Sequence, residues 1–173
     1  MQEMIPAWVN GELVPAEKVA AHREGLRHKA VSVFVVADGR TLIQRRSLEK
    51  YHTPGLWANT CCTHPRWGEA DADCAVRRLE QELGITGLRP EYRGEVRYRA
   101  DVGNGMVEDE VVQVYLCAAG PDLQVVPKPQ EVMETRWVGL PELEAEIAAE
   151  PERFTPWLRI YLAEHSGQIL GNM

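Results

Sequence analysis

The sequence predicts a single mixed α+β domain, and three observations carry that expectation. "AVSVFVVA", Ala30 to Ala37, is rich in β-branched residues and stops at Asp38-Gly39, after which "RTLIQRR" resumes an extended pattern. This reads as a β-hairpin with a tight turn. From Glu69 to Leu83 the apolar positions Ala72, Ala75, Val76, Leu79 and Leu83 recur every three or four residues and Gly84 follows, the pattern of an amphipathic helix with a glycine stop. No repeat, linker or low-complexity tract divides the 173 residues, a length that buries a core without disulfides. The domain is expected over residues 1–165, with residues 166–173, "SGQILGNM", as a frayed tail.

The remaining elements follow in chain order. The opening "MQEMIPAWVNGELVP" carries acidic residues and two prolines where a secretory signal needs a basic start and a continuous apolar stretch. No run reaches the roughly 18 apolar residues of a membrane span. The expected location is the cytoplasm. "YHTPGLW" and "NTCCTHPRWGEA" are full of turn residues and read as loop. "GEVRYRA" and "EDEVVQVYLCA" read as strands joined by the glycine-rich "DVGNGMV", and "VMETRWV" as another strand. "PELEAEIAAE" opens on proline as a surface helix and "TPWLRIYLAEH" supplies the last one, making three helices in all.

Composition narrows the function. Hydrophobic residues at 45% and charged residues at 26% give the balance of a folded globular protein. A net charge of -7 argues against non-specific nucleic-acid binding, while Lys18, Arg45, Arg46, Lys50, Arg77 and Arg78 remain as a local basic pocket for an anionic ligand. In a reducing compartment Cys61, Cys62, Cys74 and Cys117 are buried filler, ligands or reactive thiols rather than a disulfide framework.

His22, His28 and His64 fall where ligation or catalysis is feasible. Six residues rotate a regular helix by ~240°, so His22 and His28 converge on one ion only if the chain leaves the helix between them. In "VEDEVV" Glu108 and Glu110 leave a strand on the same side and Asp109 on the other. Two such carboxylates repel unless a cation lies between them. Imidazoles added to that pair make a mixed nitrogen and oxygen site suited to zinc, manganese or a similar ion. The helix over 69–83 also has the spacing of the Nudix signature, with Thr63, Glu69, Arg77, Arg78, Gln81, Glu82 and Gly84 at its positions. Arg78 and Gln81 occupy two places where a Nudix hydrolase has carboxylates, which favours holding a diphosphate over cutting it.

Taken together, "PGLWANTCCTHPRWGE", "RRLEQELG", "YRADVGNGMVEDEV" and "FTPW" make the sequence resemble the type 1 isopentenyl-diphosphate isomerase family, in the order that family shows, from Lys18 to about Trp157. The resemblance implies a Nudix-like mixed sheet flanked by helices. It implies a transition metal, Zn2+ or Mn2+, held by His22, His28, His64, Glu108 and Glu110, and Mg2+ bridging the substrate diphosphate to Glu82 and the Cys62 backbone. It implies Cys62, Glu110, Tyr98 and Trp157 as catalytic residues, with Cys61 a bystander. It implies Lys18, Arg46, Lys50 and Arg78 as contacts of the diphosphate. Thr63 stands where that family often has glycine, so its backbone needs unstrained angles.

The partner so implied is a small isoprenoid diphosphate, with no nucleic acid and no membrane, in a monomer or homodimer. A Nudix pyrophosphohydrolase is the alternative reading, and a non-catalytic zinc module fits poorly because no C-x2-C knuckles are present.

Overall fold

The structure is a computed structural model and describes residues 2–171 and 173. The β-branched run forms β3 (Arg27–Ala37), and the Asp38-Gly39 turn returns the chain as β4 (Arg40–Arg46). The turn is left-handed at both residues, which suits Asp-Gly. A hairpin absent from the sequence reading precedes them: β1 (Met4–Val9) pairs antiparallel with β2 (Glu12–Glu17) around Asn10-Gly11. A helix likewise not expected, α1 (Lys18–Glu24), starts where the Glu17 carboxylate accepts from the amides of Val19 and Ala20. It ends at Gly25, whose φ of 64° turns the chain into β3.

The segment read as loop around the paired cysteines contains two short strands, β5 (Trp57–Ala58) and β6 (Cys61–Thr63). Pairing of β6 with the middle of β3 supplies the backbone partners that local sequence does not advertise. Thr63 sits in this ladder opposite Val31 without a positive φ. The periodic segment forms α2 (Asp71–Leu83), capped at its end by left-handed Gly84. The two expected strands are longer than read: β7 (Glu91–Gly103) and β8 (Met106–Ala118) meet at a tight turn through Asn104-Gly105. Then come β9 (Val132–Gly139), α3 (Leu140–Ala149) and α4 (Pro156–Glu164), whose Thr155 hydroxyl caps Leu158 N–H. Residues 166–170, expected to fray, form α5 (Ser166–Leu170), because Ile169 and Leu170 are buried against the core.

One mixed sheet joins all nine strands, with β3 at its centre. β8 runs parallel to β3, from Arg27 opposite Asp109 to Val36 opposite Ala118, and every other pairing is antiparallel. The period of two along β3 divides the core. Val31, Val33 and Val35 pack under α2 with Leu79 and Leu83, whereas Ala30 and Phe34 face α4 with Trp157, Leu158 and Tyr161. No helix among the described residues is long and apolar enough to cross a membrane.

Candidate active site

Three segments meet at the start of β3. Because β3 and β8 are parallel, His28 lies directly opposite Glu110, and the β7–β8 register sets Tyr98 opposite Glu110 on the other side. Alternation along β8 buries Glu108 and Glu110 on the α4 side of the sheet and sends Asp109 outward to Arg27 and Arg99. The Gly25 turn brings His22 back over His28 with ring centroids 4.5 Å apart, and His64, just past β6, stands 5.0 Å from His22 and 5.1 Å from His28.

All these groups are buried. His22 Nδ1 donates to Lys18 O and His28 Nδ1 to Leu26 O, both at 2.7 Å, which turns each Nε2 toward the carboxylates. The Nε2 atoms of His22, His28, His52 and His64 and Oε2 of Glu110 are shielded from solvent without a hydrogen-bond partner. His64 and His28 lie 3.5 and 3.7 Å from Glu110 Oε2, and His22 is 3.8 Å from Glu108 Oε1. Orphaned acceptors in this number are expensive in a core unless a cation binds them. Burial, reinforced by His22, lowers His28 to about 4 and holds His64 well below the usual histidine range, so both are neutral at pH 7, the form that can bind a metal. The residues present fit a divalent metal ion.

The two carboxylates differ. Burial and the adjacent Glu108 push Glu110 well above the usual carboxylate range. Glu108 is equally buried, but His22, His52 and the Tyr98 hydroxyl hold it well below that range. The Tyr98 hydroxyl lies 2.6 Å from Glu108 Oε2 and 2.7 Å from Glu110 Oε1. One hydroxyl proton cannot fill both bonds at once, so a second proton, carried by Glu110, completes the bridge.

Across a cavity of about 30 Å³ from this pair stand Cys62 and Trp157. The Cys62 thiol donates to Asn59 Oδ1 at 2.7 Å, Ser32 Oγ donates to its sulfur at 3.5 Å, and burial pushes the thiol up. Trp157 is 1% exposed, with the Arg46 guanidinium 5.3 Å from its ring.

Known proteins share this chain's pattern. Residues 26–158 match the NUDIX domain family. The chain is 64% identical over 173 residues to an isopentenyl-diphosphate Delta-isomerase of Cereibacter sphaeroides, covering 100% of this chain and 98% of that protein. The chain belongs to the isopentenyl-diphosphate Delta-isomerase family. Other members match at 61% in Dinoroseobacter shibae, again over 100% of this chain and 98% of the relative, and at 64% in Ruegeria pomeroyi, over 97% and 93%. A Deinococcus radiodurans crystal structure shares the fold with a TM-score of 0.74 at 18% identity, covering 94% of this chain and 98% of that one. A MutT NUDIX hydrolase from Burkholderia pseudomallei has a TM-score of 0.60 at 28% identity, covering 80% and 98%.

Against that Nudix frame, α2 of this isomerase-family chain is turned to anchoring. Arg77 grips Glu69 through two bonds, and Arg78 holds Glu82 at 2.6 Å, while Gln81 accepts from both arginines. Buried Glu82 also accepts from Gln44, and it stands apart from the His/Glu group. Lys18, Arg46, Lys50 and Arg78 all reach the cavity wall. Glu3 pairs with Lys18 at 2.7 Å, and Glu131 with Lys50 at 2.5 Å and Arg78 at 3.5 Å.

Sequence reasoning overlooked His52, Asn59, Ser32 and Tyr161. His52 is buried with Nε2 at 3.0 Å from Glu108 Oε1. Ser32 and Tyr161 share a 2.8 Å hydrogen bond behind Cys62. Ser32 was findable, since its alternation with Ala30 on β3 places it on the site's face.

Proposed function

We propose that this protein interconverts isopentenyl diphosphate and dimethylallyl diphosphate, adding a proton at C4 and removing one from C2. The observation that carries the reading is the Tyr98 hydroxyl between two buried carboxylates, facing a cysteine and an indole across a small cavity.

An unactivated alkene is a poor base, so the acid must be strong and the cationic state tolerated. Glu110 rests protonated, and Tyr98 both orients its carboxyl and returns a proton to it. His22, His28, His64, Glu108 and Glu110 would hold Zn2+ or Mn2+, whose charge makes a bound carboxyl a stronger acid. Trp157 offers its ring face to positive charge developing on the substrate, for about 0.5–2 kcal/mol. Cys62 is the base on the opposite side. As folded it is a thiol, so it first gives its proton to solvent; the thiolate, favoured by positive charge forming on the substrate beside it, then takes the C2 proton.

Lys18, Arg46, Lys50 and Arg78 take the diphosphate, with Glu82 and the Cys62 backbone for Mg2+. Exclusion of water protects the cationic state from capture. The four thiols are free, which suits a reducing cytoplasm.

The test is isomerisation of isopentenyl diphosphate with magnesium in heavy water. Dimethylallyl diphosphate should form with deuterium in the methyl derived from C4, and phosphate should stay at background because α2 offers too few carboxylates to activate water. Inorganic phosphate or pyrophosphate rising without carbon-bound deuterium would make the protein a hydrolase and Cys62 incidental.

A further inference from the structure

Four imidazoles, rather than three, crowd the carboxylate pair. His52 is 2% exposed, and its Nε2 is nearer to Glu108 Oε1 than that of His22, at 3.0 against 3.8 Å. Its ring stands edge-on to Trp157 at 5.8 Å and tilted to His22 at 5.4 Å. The next residue, Thr53, has a φ of 44°, a left-handed conformation that β-branched residues seldom adopt. Such strain persists only where the surroundings enforce it, and it concentrates at working sites. Arg46 enforces it here, donating from Nε to Thr53 O at 3.2 Å and from Nη2 to His52 O at 3.0 Å.

The strained turn does one thing for the imidazole. It lays Thr53 Oγ1 against His52 Nδ1 at 2.8 Å. With the hydroxyl donating to Nδ1, the ring proton resides on Nε2, against the Glu108 carboxylate. The opposite tautomer would press a lone pair onto a carboxylate oxygen. The Nε2 atom stands 3.0 Å from Glu108 Oε1 without hydrogen-bond geometry, a close charge–dipole contact. His52 falls in a candidate metal-holding group with His22 and Glu108, apart from the group of His22, His28 and His64. Glu110 has no comparable donor on Oε2.

We propose that His52 is a positioning residue that fixes Glu108 from outside the metal set. Its Nε2–H holds Oε1 while Tyr98 holds Oε2, so this carboxylate is presented to the ion in one orientation and Glu110 is left the freer of the two. The proposal rests on the reading of Glu108 as a metal ligand.

Metal-free wild type, His52→Ala and His52→Gln are titrated with Co2+ and followed by visible absorption, with circular dichroism confirming the fold of each. His52→Ala should bind Co2+ about 10–100-fold more weakly, the range for losing an outer-shell partner. His52→Gln, whose amide reaches the Nε2 position, should recover most of that affinity with the wild-type spectrum. Unchanged affinity in His52→Ala would overturn the proposal. So would a changed band shape in His52→Gln, which would make His52 a ligand itself. Failure of wild type to bind Co2+ at all would instead overturn the metal reading, and this inference with it.

Discussion

Two neighbouring cysteines have opposite surroundings because a strand turns alternate side chains to opposite faces. On β6, Cys61 points into the core under α2 and is fully buried, while Cys62 faces α4 and the cavity. Replacing Cys62 by alanine should therefore cut turnover by at least about 100-fold, the low end for losing a proton-transfer group. Cys61→Ala should keep most activity while lowering stability by roughly 1 kcal/mol through lost packing. Equal kinetic losses would refute the division of roles. At this scale alternation alone puts Glu108 and Glu110 on one face of a strand, whereas the role expected of Cys62 came from the family resemblance. His52 was not legible, because "YHTPGLW" has no period and nothing local says which side of an aperiodic turn faces inward. Only the long-range Arg46 contacts decide it.

At the scale of elements, strong periods announced β3, β4, α2, β7 and β8. The β1–β2 hairpin stayed hidden although Asn10-Gly11 is a good turn, since Pro6 and Pro15 mark a poor ladder. They pair directly with each other, and the strands are tolerated at the margin of the sheet. α1 has only seven residues, too few for a period to declare itself, and it depends on its caps.

Gly25 is the hinge that makes His22 and His28 neighbours. Gly25→Ala forces a left-handed Cβ to 3.2 Å from Arg99 Nη2. It should cost roughly 1–2 kcal/mol in urea unfolding, with weakened metal retention measured by elemental analysis.

Between β6 and α2, the Arg77 guanidinium holds the Glu69 carboxyl below the usual carboxylate range, with help from Arg66 N–H. A depressed folded pKa means the pair stabilises fully above the ordinary value of 4.5 and loses that contribution as pH falls through the folded pKa. Urea midpoints of wild type and Glu69→Gln should differ at pH 6 and converge once the pH falls below the folded pKa. A gap that persists in acid would remove Glu69 as its source.

At the scale of the whole molecule, the orphaned imidazoles belong to α1, β3, the turn between β4 and β5 and the segment after β6, so an ion joining those of α1, β3 and the last segment cross-links distant parts of the chain. Chelation should lower the melting temperature, and restoring Zn2+ or Mn2+ should raise it with added metal as mass action requires. A melting curve indifferent to chelator would count against the metal centre.

The cavity itself sets a kinetic condition. About 30 Å³ is the share of liquid volume of one water molecule, far less than five carbons and two phosphates need. For the proposed substrate to fit, the side chains that wall the site must give way as it binds. If the form that admits it is a minor fraction of the free protein, the observed affinity is weaker than the intrinsic one by that fraction. A substitution that loosens the chain around residues 47–56 should then change KM and kcat together without touching a reacting group.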